Sequence, residues 1–184
     1  MLELNPDQLL NLTIADHAYQ VLSGVVLNGR FQRASIEGKS VILDVAHNPA
    51  ASALLAKNLA SEPCTGRTLA LSAVMADKDV AGLIEPLKDY VDAWFVANLN
   101  NNSRALAAEK FSDALVEQGI SMVSISKNLR QAFRRALSMM TVDDRLLVFG
   151  SFFTVAEVMQ LLARDKKNDQ RHIIDKQTKE RDSE

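Results

Sequence analysis

The sequence predicts an α/β domain: a mainly parallel β-sheet with helices on both faces. Three observations carry that expectation. Short β-rich runs alternate along the chain with amphipathic segments. Spacers of about 10–15 residues between strands imply βαβ units, with right-handed crossovers. Two runs, 40–46 and 145–149, are almost continuously apolar, as strands covered on both faces are.

Taken in order, 31–37 alternates apolar and polar residues and closes at Gly38, the pattern of a partly exposed strand. The run 40–46 is apolar until Asp44. Asn48 and Pro49 then open a helix over 50–60, with Ala51, Leu54, Leu55 and Leu59 at helical spacing. Proline suits the first helical turn, where its missing N–H removes no bond. A strand over 68–75 leads to a helix over 80–91 and a strand over 93–99. A helix over 104–118 follows, carrying Leu106, Phe111, Leu115 and Val116 and stopped by Gly119. A short strand over 121–126, a helix over 129–139, the strand 145–149 and a helix over 154–164 complete the pattern. The domain is therefore expected over 27–164. Residues 1–26 read as a connector from something upstream, and 165–184, dense in charge, as a disordered tail.

At 184 residues the chain fits one domain, and 47% hydrophobic residues suffice for a core. A net charge of -2 argues against a nucleic-acid-binding surface. The single cysteine, Cys64, excludes an internal disulfide and a multi-cysteine metal cluster, and points to a reducing, cytoplasmic compartment. The first residues carry no basic, apolar leader pattern, and no apolar stretch is long enough to cross a bilayer, so no membrane contact is expected.

Ligands of open parallel sheets bind beyond the carboxyl ends of the strands, which narrows the candidates. Asp44 ends an apolar strand, where a carboxylate is costly to desolvate without donors. Sugar hydroxyls or the N–H groups of a turn would both supply them, and the sequence leaves the two readings open. His47 lies in the same loop, either as a hydrogen-bonded loop residue or against a ligand. With His17 and His172 far away in sequence, no zinc spacing emerges. Asp77 and Asp79 flank Lys78 before a helix start, where acids complement the helix dipole and a cation opposes it. Lys78 therefore faces either those acids or an anionic ligand. Arg30 could grip a phosphate or be an ordinary surface arginine. Neither G-x-x-x-x-G-K-[ST] nor G-x-G-x-x-G occurs, and there is no G-x-S-x-G. Polar strand ends without a phosphate cradle suggest an accessory nucleotide-contacting domain.

Four segments, in order, resemble one family. Leu43 to Pro49 (LDVAHNP) is similar to the D-x-A-H-N-P signature of folylpolyglutamate and dihydrofolate synthases, within the Mur ligase superfamily. Gly29-Arg30-Phe31-Gln32 resembles its P-G-R-F-Q, and 75–79 (MADKD) its M-x-x-D-K-D. Residues 150–158 (GSFFTVAEV) resemble its G-S-x-x-x-V-x-E-V ending. Together they span roughly 25–162.

The resemblance implies a Rossmann-like fold of the Mur ligase C-terminal type. It also implies a ligase that adds L-glutamate to dihydropteroate or folates through an acyl phosphate, using ATP and Mg2+. By that resemblance, Arg30 reaches the ATP phosphates, Asp44 the ribose hydroxyls and His47 the nucleotide, with Asn48 holding the loop. Lys78 and Ser151 take the glutamate carboxylates. No catalytic residue and no metal ligand is expected on this domain alone: Mg2+ would be held by an N-terminal P-loop domain that these residues do not include. The chain by itself would then be inactive and the whole enzyme a monomer. A free-standing nucleotide-binding or docking module, and a cell-wall Mur ligase, are the alternatives. The sequence departs from the family pattern at Asn28, Ala50, Ser72-Ala73 and 98–104, where only Arg104 of a P-R-G is kept.

Overall fold

In the computed structural model, residues 29–99 and 102–164 are described. The expected connector (1–26) and tail (165–184) lie outside the described residues. The strands are β1 (Gln32–Ile36), β2 (Lys39–Leu43), β3 (Thr68–Ser72), β4 (Ala93–Ala97), β5 (Val123–Ser126) and β6 (Arg145–Phe149), arranged β1-β2-β6-β3-β4-β5. All neighbouring pairs are parallel except β1 on β2, which is antiparallel. That hairpin turns at Glu37 (φ 50°) and Gly38 (φ 74°). Two successive left-handed residues match the right-handed twist of the flanking strands, and glycine adopts that conformation without a Cβ penalty.

Helices α1 (Pro49–Ser61), α2 (Val80–Ile84) and α3 (Ala108–Glu117) cover one face, and α4 (Leu129–Met139) and α5 (152–164) the other. Because side chains alternate across a strand, each strand feeds both cores. Ile42, Ala70, Trp94, Leu147 and Phe149 meet Leu55, Leu59, Leu83, Phe111 and Leu115 on the first face. Val41, Leu43, Leu71, Phe95 and Val148 meet Leu129, Phe133, Val155 and Val158 on the second. Every residue of β3, β4 and β6 is buried, as the apolar run at 145–149 requires. Each large apolar side chain so covered contributes roughly 1.5–3 kcal/mol.

The strands expected over 40–46, 68–75 and 93–99 end earlier, at Leu43, Ser72 and Ala97, and that expected from 121 begins at Val123. Three helix boundaries also differ by two residues or more from the sequence reading. The helix expected over 80–91 ends at Ile84 and resumes as a 3-10 turn, Lys88–Tyr90. Pro86 has no N–H to continue the ladder, and its ring crowds the preceding turn. The helix expected from 104 begins at Ala108. Residues 104–106 instead bond to the chain leaving β3, through Ala76 N–H to Arg104 O (2.8 Å) and Leu106 N–H to Val74 O (2.9 Å). Finally, α5 starts at 152 rather than 154.

At the amino edge of the sheet, Asp144 and Arg145 are buried yet satisfied. Arg145 donates to Glu62 O (2.6 Å) and to Thr68 Oγ1 (2.9 Å). Asp144 accepts from the Arg67 guanidinium (2.9 Å), Arg67 N–H (2.7 Å) and Thr141 N–H (2.9 Å). Burial pushes this carboxyl up, but the Arg67 side chain and the two N–H groups outweigh it and hold it at about 2. Its folded value lies below the ordinary 3.8, so its stabilisation is present above that value and is lost as pH falls toward 2. Thermal melts between pH 2 and 5 should show the wild type losing stability across this window. The Asp144→Asn chain should melt lower at pH 7 and show a shallower slope below pH 4.

Candidate functional site

Strands β2 and β6 are neighbours, yet the chain leaving β2 enters α1 on one face while the chain leaving β6 enters α5 on the other. Such a divergence opens a crevice at the carboxyl edge. Backbone bonds fix its walls. Asp44 N–H donates to Val148 O (2.9 Å), Val45 N–H to Gly29 O (2.7 Å) and Gly150 N–H to Ala46 O (2.9 Å). Thr154 Oγ1 donates to Ala73 O (2.7 Å), tying α5 to the end of β3 as well.

Asp44 holds the loop from inside. Its Oδ2 accepts from Phe31 N–H (2.8 Å) and its Oδ1 from Ala46 N–H (2.7 Å). The turn-stabilising reading of this residue is thus realised. A carboxylate has about four acceptor sites, so each oxygen keeps capacity for another donor. Burial pushes the Asp44 carboxyl up, opposed by those two N–H groups and by the charge of Arg30.

Asn48 caps α1, its Oδ1 accepting from Ala51 N–H (2.9 Å), with Pro49 as the first helical residue. The His47 Nδ1 lies 2.8 Å from Val45 O. A carbonyl can only accept, so Nδ1 carries a proton. The His47 ring is 5.9 Å from that of Phe152, tilted by 47°, and this contact spans the crevice. Gly29 adopts φ +73°, and a Cβ there would lie 3.0 Å from Val45 Cγ1. Glycine therefore lets the chain pass close to the loop and carry Arg30, which is exposed, onto the rim.

The result is a cleft of about 280 Å³ whose lining includes Arg30, Asp44, His47, Asn48, Asn58 and Phe152. It brings together the four residues expected to meet a nucleotide. The other two expected residues stand elsewhere. Lys78 follows β3, two strands from β2 on the same edge, and does not line the cleft. It is partly exposed, and its Nζ is 3.1 Å from Asp77, whose carboxyl its hydrogen bond holds below the usual range. Asp79 caps α2 through Gly82 N–H (2.9 Å), as its position suggests. Ser151 is 5% exposed, with its hydroxyl 2.7 Å from Thr154 Oγ1 and accepting from Thr154 N–H (3.1 Å). Its side chain caps α5 and does not reach the cleft. Arg104 is exposed and 3.8 Å from Asp77.

Sequence reasoning missed Leu54, Asn58 and Phe152 as lining residues. Leu54 carried a misleading signal, since its helical spacing suggested core, yet it is 59% exposed. Phe152 is 60% exposed, and its position next to a strand end was the available clue. Among the described residues, no cluster of histidine, cysteine or carboxylate groups could hold a metal ion, and no helix is long and apolar enough to cross a membrane.

The family model for the Mur ligase glutamate ligase domain matches residues 29–152. The dihydrofolate synthase/folylpolyglutamate synthase of Escherichia coli (strain K12) is 39% identical over 141 residues, covering 77% of this chain and 32% of that protein. The structure of E. coli FolC in complex with DHPP and ADP superposes with a TM-score of 0.72 at 34% identity, covering 90% of this chain and 36% of that one. A bifunctional folylpolyglutamate synthase/dihydrofolate synthase with Mn, AMPPNP and L-glutamate bound gives a TM-score of 0.68 at 34% identity, covering 76% and 32%. The chain spans about a third of the length of the curated relatives it matches.

The crevice depends on Gly150, at φ +114°, where a Cβ would lie 2.5 Å from Ser72 Oγ and 2.8 Å from Ala73 O. Gly150→Ala should cost on the order of 1–3 kcal/mol from backbone strain, and more from the clash. Urea melts should show the loss as a lower midpoint at unchanged slope.

Proposed function

Because the chain belongs to the Mur ligase glutamate ligase domain family, we propose that it forms the nucleotide-closing, amino-acid-binding part of an ATP-dependent folate ligase. In the proposed reaction a carboxylate oxygen of dihydropteroate, or of a folate already bearing glutamate, takes the γ-phosphoryl group of ATP. ADP leaves and an acyl phosphate forms. The amine of L-glutamate then attacks the acyl carbon, the C–O bond breaks with its electron pair passing to phosphate, and the amine proton is lost as the amide forms. Such chemistry is chiefly positioning and charge stabilisation.

One observation carries the reading: Arg30 and Asp44 line a single cleft at the divergence of β2 and β6. Asp44 accepts from the ribose hydroxyls with the capacity its backbone partners leave, which also offsets the cost of its burial. Arg30, on the rim, reaches the phosphates and stabilises charge during transfer. His47 lies against the nucleotide, and Asn48 fixes the loop. Lys78 takes a glutamate carboxylate, with Asp77 as its resting partner. Ser151 serves the same substrate by capping α5, whose first N–H groups suit a carboxylate.

Leu54, Phe152 and Phe153 are each about 60% exposed on or beside the cleft. These apolar groups support a second wall closing there, from a P-loop domain, which would shield the acyl phosphate from water. The sequence itself contains no phosphate-cradling loop. A divalent cation would polarise the phosphates of the bound nucleotide, but the described residues offer it no ligand cluster, so no step here runs through it. We assign the enzyme to the cytoplasm, acting as a monomer.

Calorimetric titration of the chain with ADP should show weak binding, reduced at least tenfold by Asp44→Ala and less by Arg30→Ala. Unchanged affinity in the Asp44→Ala chain would remove that residue from the site. The 184-residue chain alone should incorporate no glutamate in the presence of ATP, and measurable incorporation would refute its dependence on a second domain.

A further inference from the structure

A second hollow of about 390 Å³ lies on the same edge of the sheet, on the face covered by α4 and α5. Phe152 walls the nucleotide cleft and the next residue, Phe153, walls this groove. The start of α5 therefore separates the two hollows. Arg130, Arg164, Asn102, Gln160 and Glu157 supply the polar lining.

The charge around the groove is lopsided. Helix α4 contains Arg130, Arg134 and Arg135, all exposed, and no acidic residue. Exposed Lys127 precedes its cap. Among the described residues, none of these cations takes part in an ion pair. Arg130 stands in the first turn, where a positive charge opposes the helix dipole, and Arg134 lies one turn on, where like charges repel. Each placement is unfavourable in the free chain and becomes favourable once an anion lies along the helix. The single carboxyl in the groove, Glu157, is half-buried, and burial pushes it up.

We propose that this groove and the arginine face of α4 hold the oligo-γ-glutamyl tail of a folate that already carries several glutamates. The inference rests on the ligase reading above and names the substrate that the groove serves. Every γ-linked addition leaves one free α-carboxylate, so the tail is a flexible anion with one charge per residue. The reacting carboxylate is at the tip of that tail, and earlier residues trail away from it. Along the edge, the order of strand ends runs from Asp44 after β2, through α5 after β6 and Lys78 after β3, to Asn102 after β4 and Arg130 after β5. A tail whose tip is near Lys78 thus finds the groove as the next hollow in line. Arginine suits this ligand, since its planar fork takes carboxylates in pairs.

The probe is penta-γ-L-glutamate without a pterin, titrated into the full chain alongside di-γ-L-glutamate and ADP. The pentamer should bind at least tenfold more tightly than the dimer at low ionic strength, with most of that advantage lost in high salt. The double variant Arg130→Gln/Arg134→Gln should weaken pentamer binding at least tenfold and Glu157→Gln should strengthen it, both leaving ADP affinity unchanged. Retained pentamer binding in the double variant would overturn the site. An oligonucleotide or α-linked polyaspartate of equal charge binding as tightly would also overturn it, in favour of a nonspecific polyanion surface. ADP binding that depends on Asp44, with no pentamer binding, would refute this inference and leave the ligase reading standing. Loss of both would remove the two together.

Discussion

The carboxylate of Asp44 is the interaction on which the site depends. By accepting the N–H groups of Phe31 and Ala46, it joins the chain entering β1 to the chain leaving β2. These segments flank the crevice, and Arg30 sits between them. Without that bridge, Phe31, held at φ 43°, would have no partner to justify a left-handed conformation that β-branched and bulky residues avoid. Burial disfavours the charge on Asp44 and the two donors offset it. The loop is therefore shaped by the need to keep one carboxylate satisfied.

Strand β6 organises the rest. It enters between β2 and β3, and its neighbours on either side lead to helices on the opposite face from α5. The divergence that opens the cleft is therefore a property of topology. Gly150 allows it at close range, by letting β6 end against Ser72 and Ala73. At the other end of the same strand, Arg145 and Asp144 anchor the amino edge through Glu62, Thr68, Arg67 and Thr141. The buried ionic anchor and the candidate cleft thus lie at opposite ends of one strand.

Much of this was legible in the sequence. The apolar runs at 40–46 and 145–149 marked strands covered on both faces, and the spacers between strands marked crossovers. Asn48-Pro49 and Gly119 marked helix ends. The strand-end rule singled out Asp44 and His47, the family resemblance added Arg30, and the cleft unites them. What was not legible depends on direction and on competition. Apolar spacing through Leu87 and Val91 suggested a continuous helix, but Pro86 breaks the ladder. Arg104 to Leu106 had helical spacing, yet their backbone groups are taken by Val74 and Ala76. Ser151 stood at a strand end, but which way its hydroxyl turns is set by Thr154. Leu54 looked like core because periodicity reports spacing and not what covers a face.

Asp44 ties the loop through two backbone N–H groups, whereas Arg30 makes no hydrogen bond among the described residues and supports the loop only through its charge beside that carboxylate. Exchanging the arginine would therefore disturb the loop less than exchanging the aspartate. Within sequences of this kind, the aspartate is thus a marker of an intact loop.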